Sequence, residues 1–241
     1  MHKVIFEMET TFSRYSRQIF IEEVGVQGQR AIMGARVLVI GAGGLGSPVI
    51  QYLAAAGVGH LAVVDFDKLE VHNLNRQVIH NEQQVGQYKV DNADGFVRGL
   101  NSSIDFRPIR EQLNASNAKQ IIQAYDIIVE GSDNFETRYL VNDTCVQLNK
   151  VLVYGSIFAF QGQLAVFNHQ GSKHLRELFP TPPAEHERQT CDQFGVLGPL
   201  PGVIGSMMAM QVLKIIVGLP VRTNQLTVVD FKDWHFQQID F

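Results

Sequence analysis

A glycine-rich loop and the carboxylate after the next apolar run are the first residues in this sequence that could do chemistry. The loop reads Gly-Ala-Gly-Gly-Leu-Gly at residues 41–46, between an apolar run and a helical pattern. Glycines at such a junction allow a tight turn, and they let backbone N–H groups reach phosphate oxygens at a helix N-terminus. Asp65 ends the next apolar run, where a carboxylate can accept hydrogen bonds from a ribose hydroxyl. We therefore predict a nucleotide site with Gly41, Gly43, Gly44 and Asp65 among its binding residues.

A second group of side chains carries the charges that a triphosphate and a metal ion require. Arg76 and Lys89 follow the second apolar run, and Asp133 follows a later one. Because Mg²⁺ prefers carboxylate and phosphate oxygens, Asp133 is a candidate to hold Mg²⁺ together with a triphosphate. Taken singly, the two cations are compatible with surface ion pairs, and Asp133 with a helix N-cap. A dehydrogenase would not need all three around its phosphates, so their joint placement favours chemistry at a phosphate.

Short apolar runs that alternate with helical patterns must hold these residues in place. This alternation predicts a parallel sheet with right-handed crossovers, whose ligand lies at the carboxyl ends of the strands. We therefore predict an α/β fold with a Rossmann-like, mostly parallel sheet flanked by helices. The predicted strands are residues 36–40, 61–65, 126–130 and 151–155, and the predicted helices are residues 47–56, 89–100, 115–124 and 135–148.

The pattern changes after Gly155. Two further apolar runs, at residues 163–167 and 226–231, predict an antiparallel C-terminal extension of the sheet. Residues 170–195 are polar and contain several prolines, and long loops of this kind in compact domains are usually functional or disordered. We therefore expect a mobile crossover loop there, followed by a helix over about residues 203–217.

Composition and charge argue against several classes of protein. The chain has 241 residues, of which 45% are hydrophobic and 18% are charged, and its net charge is −4. It has no dense run of Lys and Arg, so we expect no nucleic-acid partner. The apolar stretch at residues 203–217 contains Ser206, Gln211 and Lys214, which makes it too short and too polar to span a bilayer. With two distant cysteines and no signal peptide, we expect a cytoplasmic protein.

Longer motifs extend these features over nearly the whole chain. They read RYSRQI at residues 14–19, GAGGLG at 41–46, NLNRQ at 73–77, SDNFETR at 132–138 and GVLGPLPGVIGSMMA at 195–209. Together they resemble the ThiF/MoeB/HesA family, the bacterial relatives of ubiquitin-activating enzymes. The resemblance implies an adenylyltransferase that uses MgATP to adenylate the C-terminal Gly-Gly of a ubiquitin-fold sulfur carrier protein. It also implies a sulfur donor, such as a cysteine desulfurase, and a homodimer.

The resemblance also implies an organisation and a set of residue roles. One domain, residues 1–241, would bind nucleotide through about residues 30–155 and would contain the carrier-binding and crossover part in about residues 156–241. Arg17 would reach the ATP that is bound to the other subunit of the homodimer. The implied catalytic residues are Arg17, Arg76, Lys89, Asp133 and Cys191, and the implied nucleotide ligands are Gly41, Gly43, Gly44, Asp65, Asn73, Arg76, Gln77, Lys89 and Asn134.

Cys191 and the missing cysteine pairs leave questions open. In part of the family, the cysteine at this position resembles a sulfur relay joined to the carrier by an acyl persulfide; the alternative is a loop cysteine that adenylation does not need. Many members bind structural zinc through two Cys-x-x-Cys pairs, but here His174 and Glu177 stand where the first pair would be. The other cysteine, Cys145, fits the apolar side of a helix. We predict no structural zinc, and we expect the remaining histidines to be solvated.

Two functions within the family and two outside it remain open. The RELFP stretch and Cys191 favour a ThiF-like role in thiamine (thiazole) biosynthesis, and the alternative is MoeB-like activation of the small subunit of molybdopterin synthase. An NAD-dependent oxidoreductase would need a catalytic His or Tyr near the strand ends, and nothing in the sequence identifies one. A non-catalytic binding module that kept the fold is disfavoured by the complete set of charged site residues.

Overall fold

The central sheet combines a parallel half with an antiparallel half. The structure is a computed structural model and describes residues 13–183 and 195–241. The strands in these residues are β1 (Arg36–Ile40), β2 (His60–Val64), β3 (Asp105–Ile109), β4 (Ile127–Glu130), β5 (Val151–Phe158), β6 (Gln161–Phe167), β7 (Gln225–Asp230) and β8 (His235–Asp240). Their spatial order is β3-β2-β1-β4-β5-β6-β7-β8. The neighbours from β3 to β5 pair in parallel, and those from β5 to β8 pair antiparallel.

Helices cover both faces of the parallel half. In the described residues they are α1 (Gly25–Gly34), α2 (Gly46–Ala56), α3 (Lys89–Leu100), α4 (Ala118–Ile122), α5 (Phe135–Leu148), α6 (Leu175–Leu178) and α7 (Pro199–Val217). Residues 13–19 are also helical. Helices α2, α3 and α7 contribute to the core on one face of the sheet, and α4 and α5 contribute to the core on the other.

Alternate residues of a central strand face these two helical layers. Val37 and Val39 of β1 pack in the layer of α2, α3 and α7, whereas Leu38 and Ile40 pack in the layer of α4 and α5. Successive residues of a strand point to opposite faces, and helices cover both faces here, so all four side chains are buried. Burial on both faces explains why this strand is a continuous apolar run rather than an alternating one.

The strand order reverses direction at β1. From β1 the chain proceeds outward to β2 and β3, and it then returns to the other side of β1 to form β4 and β5. In an open α/β sheet, ligands bind at such a switch point, in the crevice outside the carboxyl ends of the strands. The crevice between β1 and β4 is therefore where the fold itself places a ligand.

The predicted fold class is confirmed, and the differences lie mainly at the edges of the sheet. Helices α3 and α5 have the predicted bounds, and the four predicted parallel strands are present. Strands β3 and β8 were not predicted from the sequence. The segment that forms β3 mixes apolar residues with Asp105, Arg107 and Pro108, and every residue of β8 is exposed. Both strands lie at an edge of the sheet, where the burial that creates an apolar pattern is weakest.

Two expectations about the C-terminal third need correction. Residues 170–183 of the predicted loop contain α6, and residues 184–194, which include Cys191, lie outside the described residues. Helix α7 begins at Pro199, four residues before the predicted start at about residue 203. Judged by length and composition alone, its 19 residues could cross a membrane. A buried core helix meets the same criteria. Because Ile204, Met208 and Val212 of α7 are fully buried in the core, this packing accounts for the helix's apolar composition.

Candidate functional site

The glycine loop forms a tight turn between β1 and α2 that only glycine fits. Gly41 has φ 91°, a left-handed conformation that favours glycine. A Cβ on Gly46 would lie 1.9 Å from the carbonyl oxygen of Gly41. Helix α2 begins at Gly46, and no side chain caps its N-terminus. Backbone N–H groups and the positive end of the helix dipole therefore face the crevice, which is the arrangement that binds phosphate.

The half-buried side chain of Asp65 and the buried side chain of His80 hold Ala42 within this loop. Oδ2 of Asp65 accepts a hydrogen bond from the backbone N–H of Ala42 at 2.8 Å, and Oδ1 accepts one from Asp67 N–H at 2.8 Å. Nε2 of His80 lies 3.0 Å from the carbonyl oxygen of Ala42, and since a carbonyl only accepts, Nε2 carries the proton. Burial raises the pKa of Asp65 and lowers that of His80. These contacts fix the loop without any ligand.

The segment after β2 places Arg76 and Gln77 against the glycines. Cγ of Arg76 would lie 3.6 Å from a Cβ on Gly44, and Nε2 of Gln77 would lie 3.6 Å from a Cβ on Gly43. Nη1 of Arg76 donates to the carbonyl oxygen of His72 at 2.9 Å. The guanidinium is thus held beside the loop by one backbone contact and its neighbour Asn75.

Lys89 and Asn73 complete this side of the site. Lys89 begins α3 and is buried, and its Nζ lies 2.8 Å from Oδ2 of Asp67. Because an ammonium has three N–H donors, this ion pair leaves two for a phosphate. Asn73 is also buried, and its Oδ1 accepts a hydrogen bond from Glu70 N–H at 3.1 Å. In this structure its side chain therefore organises the segment before Arg76.

The turn after β4 carries Asp133 next to the glycine loop. A Cβ on Gly41 would lie 3.3 Å from the carbonyl oxygen of Gly131, so the two turns are in contact. Asn134 caps α5, with Oδ1 accepting from Thr137 N–H at 2.8 Å. Asp133 is exposed, and its carboxylate makes no hydrogen bond or ion pair with residues 13–183 and 195–241. The N-cap is thus Asn134, which leaves Asp133 available to a metal ion.

Arg17 is not brought to this site within one chain. Tyr15 is buried against Gly57, and Gln18 donates to the carbonyl oxygen of Ala56, so the segment of residues 13–19 docks at the C-terminal end of α2. Helix α2 has 11 residues, which at about 1.5 Å each puts that end about 16 Å from the glycine loop. Arg17 itself is exposed and has no partner among the described residues.

The structure places Cys145 as predicted but not all of the histidines. Cys145 is fully buried in the core as predicted, and burial raises its pKa to about 12. His174 and Glu177 form the capping box of α6, and the described residues contain no group of His, Cys, Asp and Glu arranged to hold a metal ion. The absence of zinc stays a prediction. The expectation that the other histidines are solvated is wrong for His80, which is buried beneath the loop.

Sequence reasoning missed two buried residues of the site, His80 and Glu130. Glu130 is the last residue of β4, is fully buried, and accepts a hydrogen bond from Ser132 N–H at 2.7 Å. A signal was present for Glu130, because an acid that ends a buried apolar run must find a partner. For His80 no local pattern indicates that its ring reaches the loop, since its partner Ala42 lies 38 residues away in sequence.

Replacing Gly46 by Ala should destabilise the fold by about 3 kcal/mol or more, because the new Cβ would overlap backbone that cannot move aside. Gly95 on α3 is the matched control. A Cβ there meets nothing within 4 Å, so Gly95→Ala should instead stabilise the helix by about 1 kcal/mol. Urea unfolding of the two variants measures this difference. Equal stability of both variants would contradict the tight turn.

The buried His80 should make stability depend on pH. In the unfolded chain this histidine takes up a proton near pH 6.5, whereas burial lowers its pKa in the folded state. Below that pH the unfolded state therefore binds more protons, and the free energy of unfolding should fall as the pH falls. The contribution is fully present above pH 6.5. Urea titrations at several pH values should show a weaker dependence in His80→Gln, and an unchanged one in the exposed control His235→Gln. The same slope in His80→Gln as in the wild type would disprove the assignment.

The fold and the site define a doubly wound α/β protein whose switch-point loops are shaped for a phosphate-bearing ligand. Residues 15–241 match the model of the ThiF family, and the chain belongs to that family. Family membership confirms the resemblance drawn from the motifs.

Two groups of known proteins resemble the chain. It is 49% identical over 206 residues to a protein of Culex quinquefasciatus named adenylyltransferase and sulfurtransferase MOCS3, and it is 48% identical over 227 residues to one of the same name from Xenopus laevis. These matches cover 86% and 94% of this chain but 47% and 50% of the relatives, so the chain spans about half their length. The structure of Escherichia coli MccB with ATP has the same fold, with a TM-score of 0.83 at 22% identity over 94% of this chain and 71% of that one.

Proposed function

We propose that this protein uses ATP to adenylate the C-terminal carboxylate of a ubiquitin-fold sulfur carrier protein that ends in Gly-Gly. One arrangement carries the proposal: a glycine loop at a helix N-terminus, with the Arg76 side chain against it and the unpaired carboxylate of Asp133 on the adjoining turn. Membership of the ThiF family and the adenylyltransferase names of its relatives support it. The MccB structure of the same fold contains ATP, which supports the choice of nucleotide.

The chemistry suits a site that supplies positive charge and position. An oxygen of the carrier's carboxylate forms a bond to the α-phosphorus of ATP as the bond from that phosphorus to the bridging oxygen breaks, and pyrophosphate leaves. Both reactants are anions, so the barrier is largely electrostatic and positional. The guanidinium of Arg76, the ammonium of Lys89 and the free amides of α2 meet the negative charge. No general base is needed, because a carboxylate is already ionised at neutral pH.

Asp133 fits Mg²⁺ by the chemistry of its donor atoms. Its exposed carboxylate has no partner among the described residues, and Mg²⁺ binds through one or two carboxylates together with phosphate oxygens. When it is bound with ATP, Mg²⁺ neutralises part of the charge on the phosphates. We propose that Asp133 holds it there.

For the pathway, we propose the MoeB-like role rather than the thiamine role. The thiamine preference came from the RELFP stretch and Cys191, and Cys191 lies outside the described residues. Both relatives named above are called adenylyltransferase and sulfurtransferase MOCS3, and these matches support the MoeB-like alternative better than the thiamine role. The carrier would then be the small subunit of molybdopterin synthase. A sulfur donor and a relay through Cys191 would follow adenylation.

We further propose that the protein acts as a homodimer in which Arg17 completes the partner's site. The docked position of the 13–19 segment supports this, since within one chain it is held far from the glycine loop. An apolar groove between α2 and α7 offers a surface for association. Tyr52, Val78, Val203 and Met210 line it and are between 40% and 59% exposed, which is unusual for side chains of this size on one surface.

For the carrier we propose a surface on the hairpin of β7 and β8 and the turn between them, within the predicted carrier-binding part. Trp234 and Phe236 are largely exposed there and pack edge to face with Phe231. Large exposed aromatic side chains are typical of protein interfaces, because they bury much area at a low entropic cost. Edge strand β8 also leaves one side free for pairing within the described sheet.

ATP–pyrophosphate exchange with candidate carriers tests the proposed function. The exchange should require a carrier that ends in Gly-Gly, and it should disappear when the two glycines are removed from that carrier. Comparing the molybdopterin-synthase small subunit with the thiamine sulfur carrier decides between the two pathways. No exchange with either carrier would reject adenylation.

Thermal unfolding separates this function from a dehydrogenase. A ligand that binds the folded state raises apparent stability by about 2.7 kcal/mol at a hundredfold excess over its dissociation constant. MgATP should therefore raise the unfolding temperature, and NAD at the same concentration should not. A shift with NAD alone would favour the oxidoreductase instead.

A further inference from the structure

The buried pair of Glu130 and Arg138 lies directly behind the turn that carries Asp133. Glu130 ends β4 with its side chain fully buried, and Arg138 reaches it from α5. Nε of Arg138 is 3.6 Å from Oε2 of Glu130, which is an ion pair at slightly more than hydrogen-bond length. The guanidinium carbon of Arg138 also lies 5.2 Å from the ring centroid of Phe135 and 5.7 Å from that of Tyr154. None of these side chains is among the residues that the sequence predicts to bind the nucleotide.

Together the two side chains bind all the polar groups of Ser132. Oε1 of Glu130 accepts hydrogen bonds from the backbone N–H of Ser132, at 2.7 Å, and from its hydroxyl. Nη2 of Arg138 donates to the carbonyl oxygen of Ser132 at 3.2 Å. Ser132 is therefore held from both sides of its peptide. Because Asn134 is held as the N-cap of α5, Asp133 is the one residue of the turn whose side chain stays free.

We propose that Glu130 and Arg138 are positioning residues that fix the Ser132 peptide and so aim the carboxylate of Asp133 at the metal-bound nucleotide. This inference rests on the proposed function, since it assigns the pair a role in that reaction. Neither side chain touches substrate. Both act through the backbone of the residue that precedes Asp133.

A purely structural role does not account for the charge of Glu130. Burial raises the pKa of Glu130 to about 7, against the opposing effects of Arg138 and Ser132, so the ionised form is held at a cost in stability. Replacing both members of a buried ion pair by well-packed apolar residues is often neutral or stabilising. An isosteric amide would fill the same space. The buried carboxylate of Glu130 is better explained by its hydrogen bond to Ser132. A carboxylate accepts a stronger hydrogen bond from the backbone N–H of Ser132 than the side-chain amide of glutamine does.

The test separates metal positioning from stability by measuring ATP binding calorimetrically with and without MgCl₂. Wild-type protein should bind ATP more tightly with Mg²⁺, and Asp133→Ala should lose that enhancement. Glu130→Gln should lose about 10-fold or more of it, the typical effect of removing a group that orients a metal ligand. Because the buried Arg138 then lacks its counter-charge, the unfolding temperature should fall, so binding is measured well below it and the loss is taken from the ratio of the ATP affinities with and without Mg²⁺. Arg138→Lys keeps the charge but loses the planar fork, and it should show the same selective loss.

Two further variants make the outcome decisive. Asp143 lies on α5, as Arg138 does, and forms an exposed ion pair with Arg176 of α6. Asp143→Asn removes that pair and should bind MgATP like the wild type. In an Asp133→Ala background, Glu130→Gln should have no further effect on Mg²⁺-dependent binding, because the residue through which it acts is gone. Wild-type Mg²⁺ enhancement in both Glu130→Gln and Arg138→Lys, or an equal additional loss in the Asp133→Ala background, overturns the inference. If the wild type itself binds no MgATP, the proposed function fails instead.

Discussion

Arg76→Ala should reduce carrier-dependent ATP–pyrophosphate exchange by about 10³-fold or more, the lower end of what an arginine contributes in other phosphoryl-transfer systems. The side chain lies against Gly44, where the phosphates would rest, and the loop amides that remain provide partial rather than full charge. The exchange rates of Arg76→Ala and the wild type are compared at saturating carrier, so that binding of the carrier does not mask the effect.

The fold should tolerate this change. Arg76 is only half buried, and its guanidinium bonds to His72 and Asn75 within its own segment, so truncation should change the free energy of unfolding by about 0.5 kcal/mol. Arg98→Ala is the matched control, since it removes an exposed arginine paired with Asp94 on α3. Its exchange should equal that of the wild type. Exchange within about 10-fold of wild type in Arg76→Ala would remove Arg76 from the site.

Co-expressed Arg17→Ala and Asp133→Ala subunits should recover activity that neither variant has alone. In a mixed dimer, the subunit with intact Asp133 receives Arg17 from its partner, so one of the two sites is complete. Random pairing makes half of the dimers mixed, which gives about one quarter of wild-type exchange. Different affinity tags on the two subunits isolate the mixed dimer, which should then show about half of the wild-type activity per dimer.

The control for this experiment pairs two residues of the same subunit's site. Arg76 and Asp133 both lie on turns of one chain, so a mixed dimer of Arg76→Ala and Asp133→Ala has a defect in each site and should stay inactive. Recovery of exchange activity in this control would mean that Arg76 and Asp133 of one site come from different subunits, contrary to the proposal. An inactive mixture of Arg17→Ala and Asp133→Ala, with the mixed dimer demonstrably present, would contradict a role of Arg17 across the interface.

The local elements of the site could be predicted from the sequence because their causes are local. A glycine run between an apolar strand and a helical pattern has few conformations open to it, and the predicted turn at residues 41–46 is present. The cap of α5 is equally local, because Oδ1 of Asn134 accepts a hydrogen bond from the N–H of Thr137, three residues further along the chain. Fold class followed from the alternation of strand and helix, because parallel pairing needs a crossover between strands.

The positions of single residues depended on contacts that no local pattern encodes. The ring of His80 reaches Ala42, and Arg138 reaches back to Ser132 and Glu130 from the next helix; neither contact has a periodic signature. Strand β8 is exposed along its length, so it exists because β7 offers it hydrogen bonds.

The strand–loop–helix unit of the glycine turn, the class of fold and the family can all be predicted from residue types at short spacing. The contact between this loop and the turn after β4, and the docking of the Arg17 segment at the far end of α2, depend instead on how distant segments pack. The physical reason is that β1 and β4 become neighbours through backbone hydrogen bonds between strands about 90 residues apart, and such pairing is chosen by the packing of the whole sheet rather than by either segment.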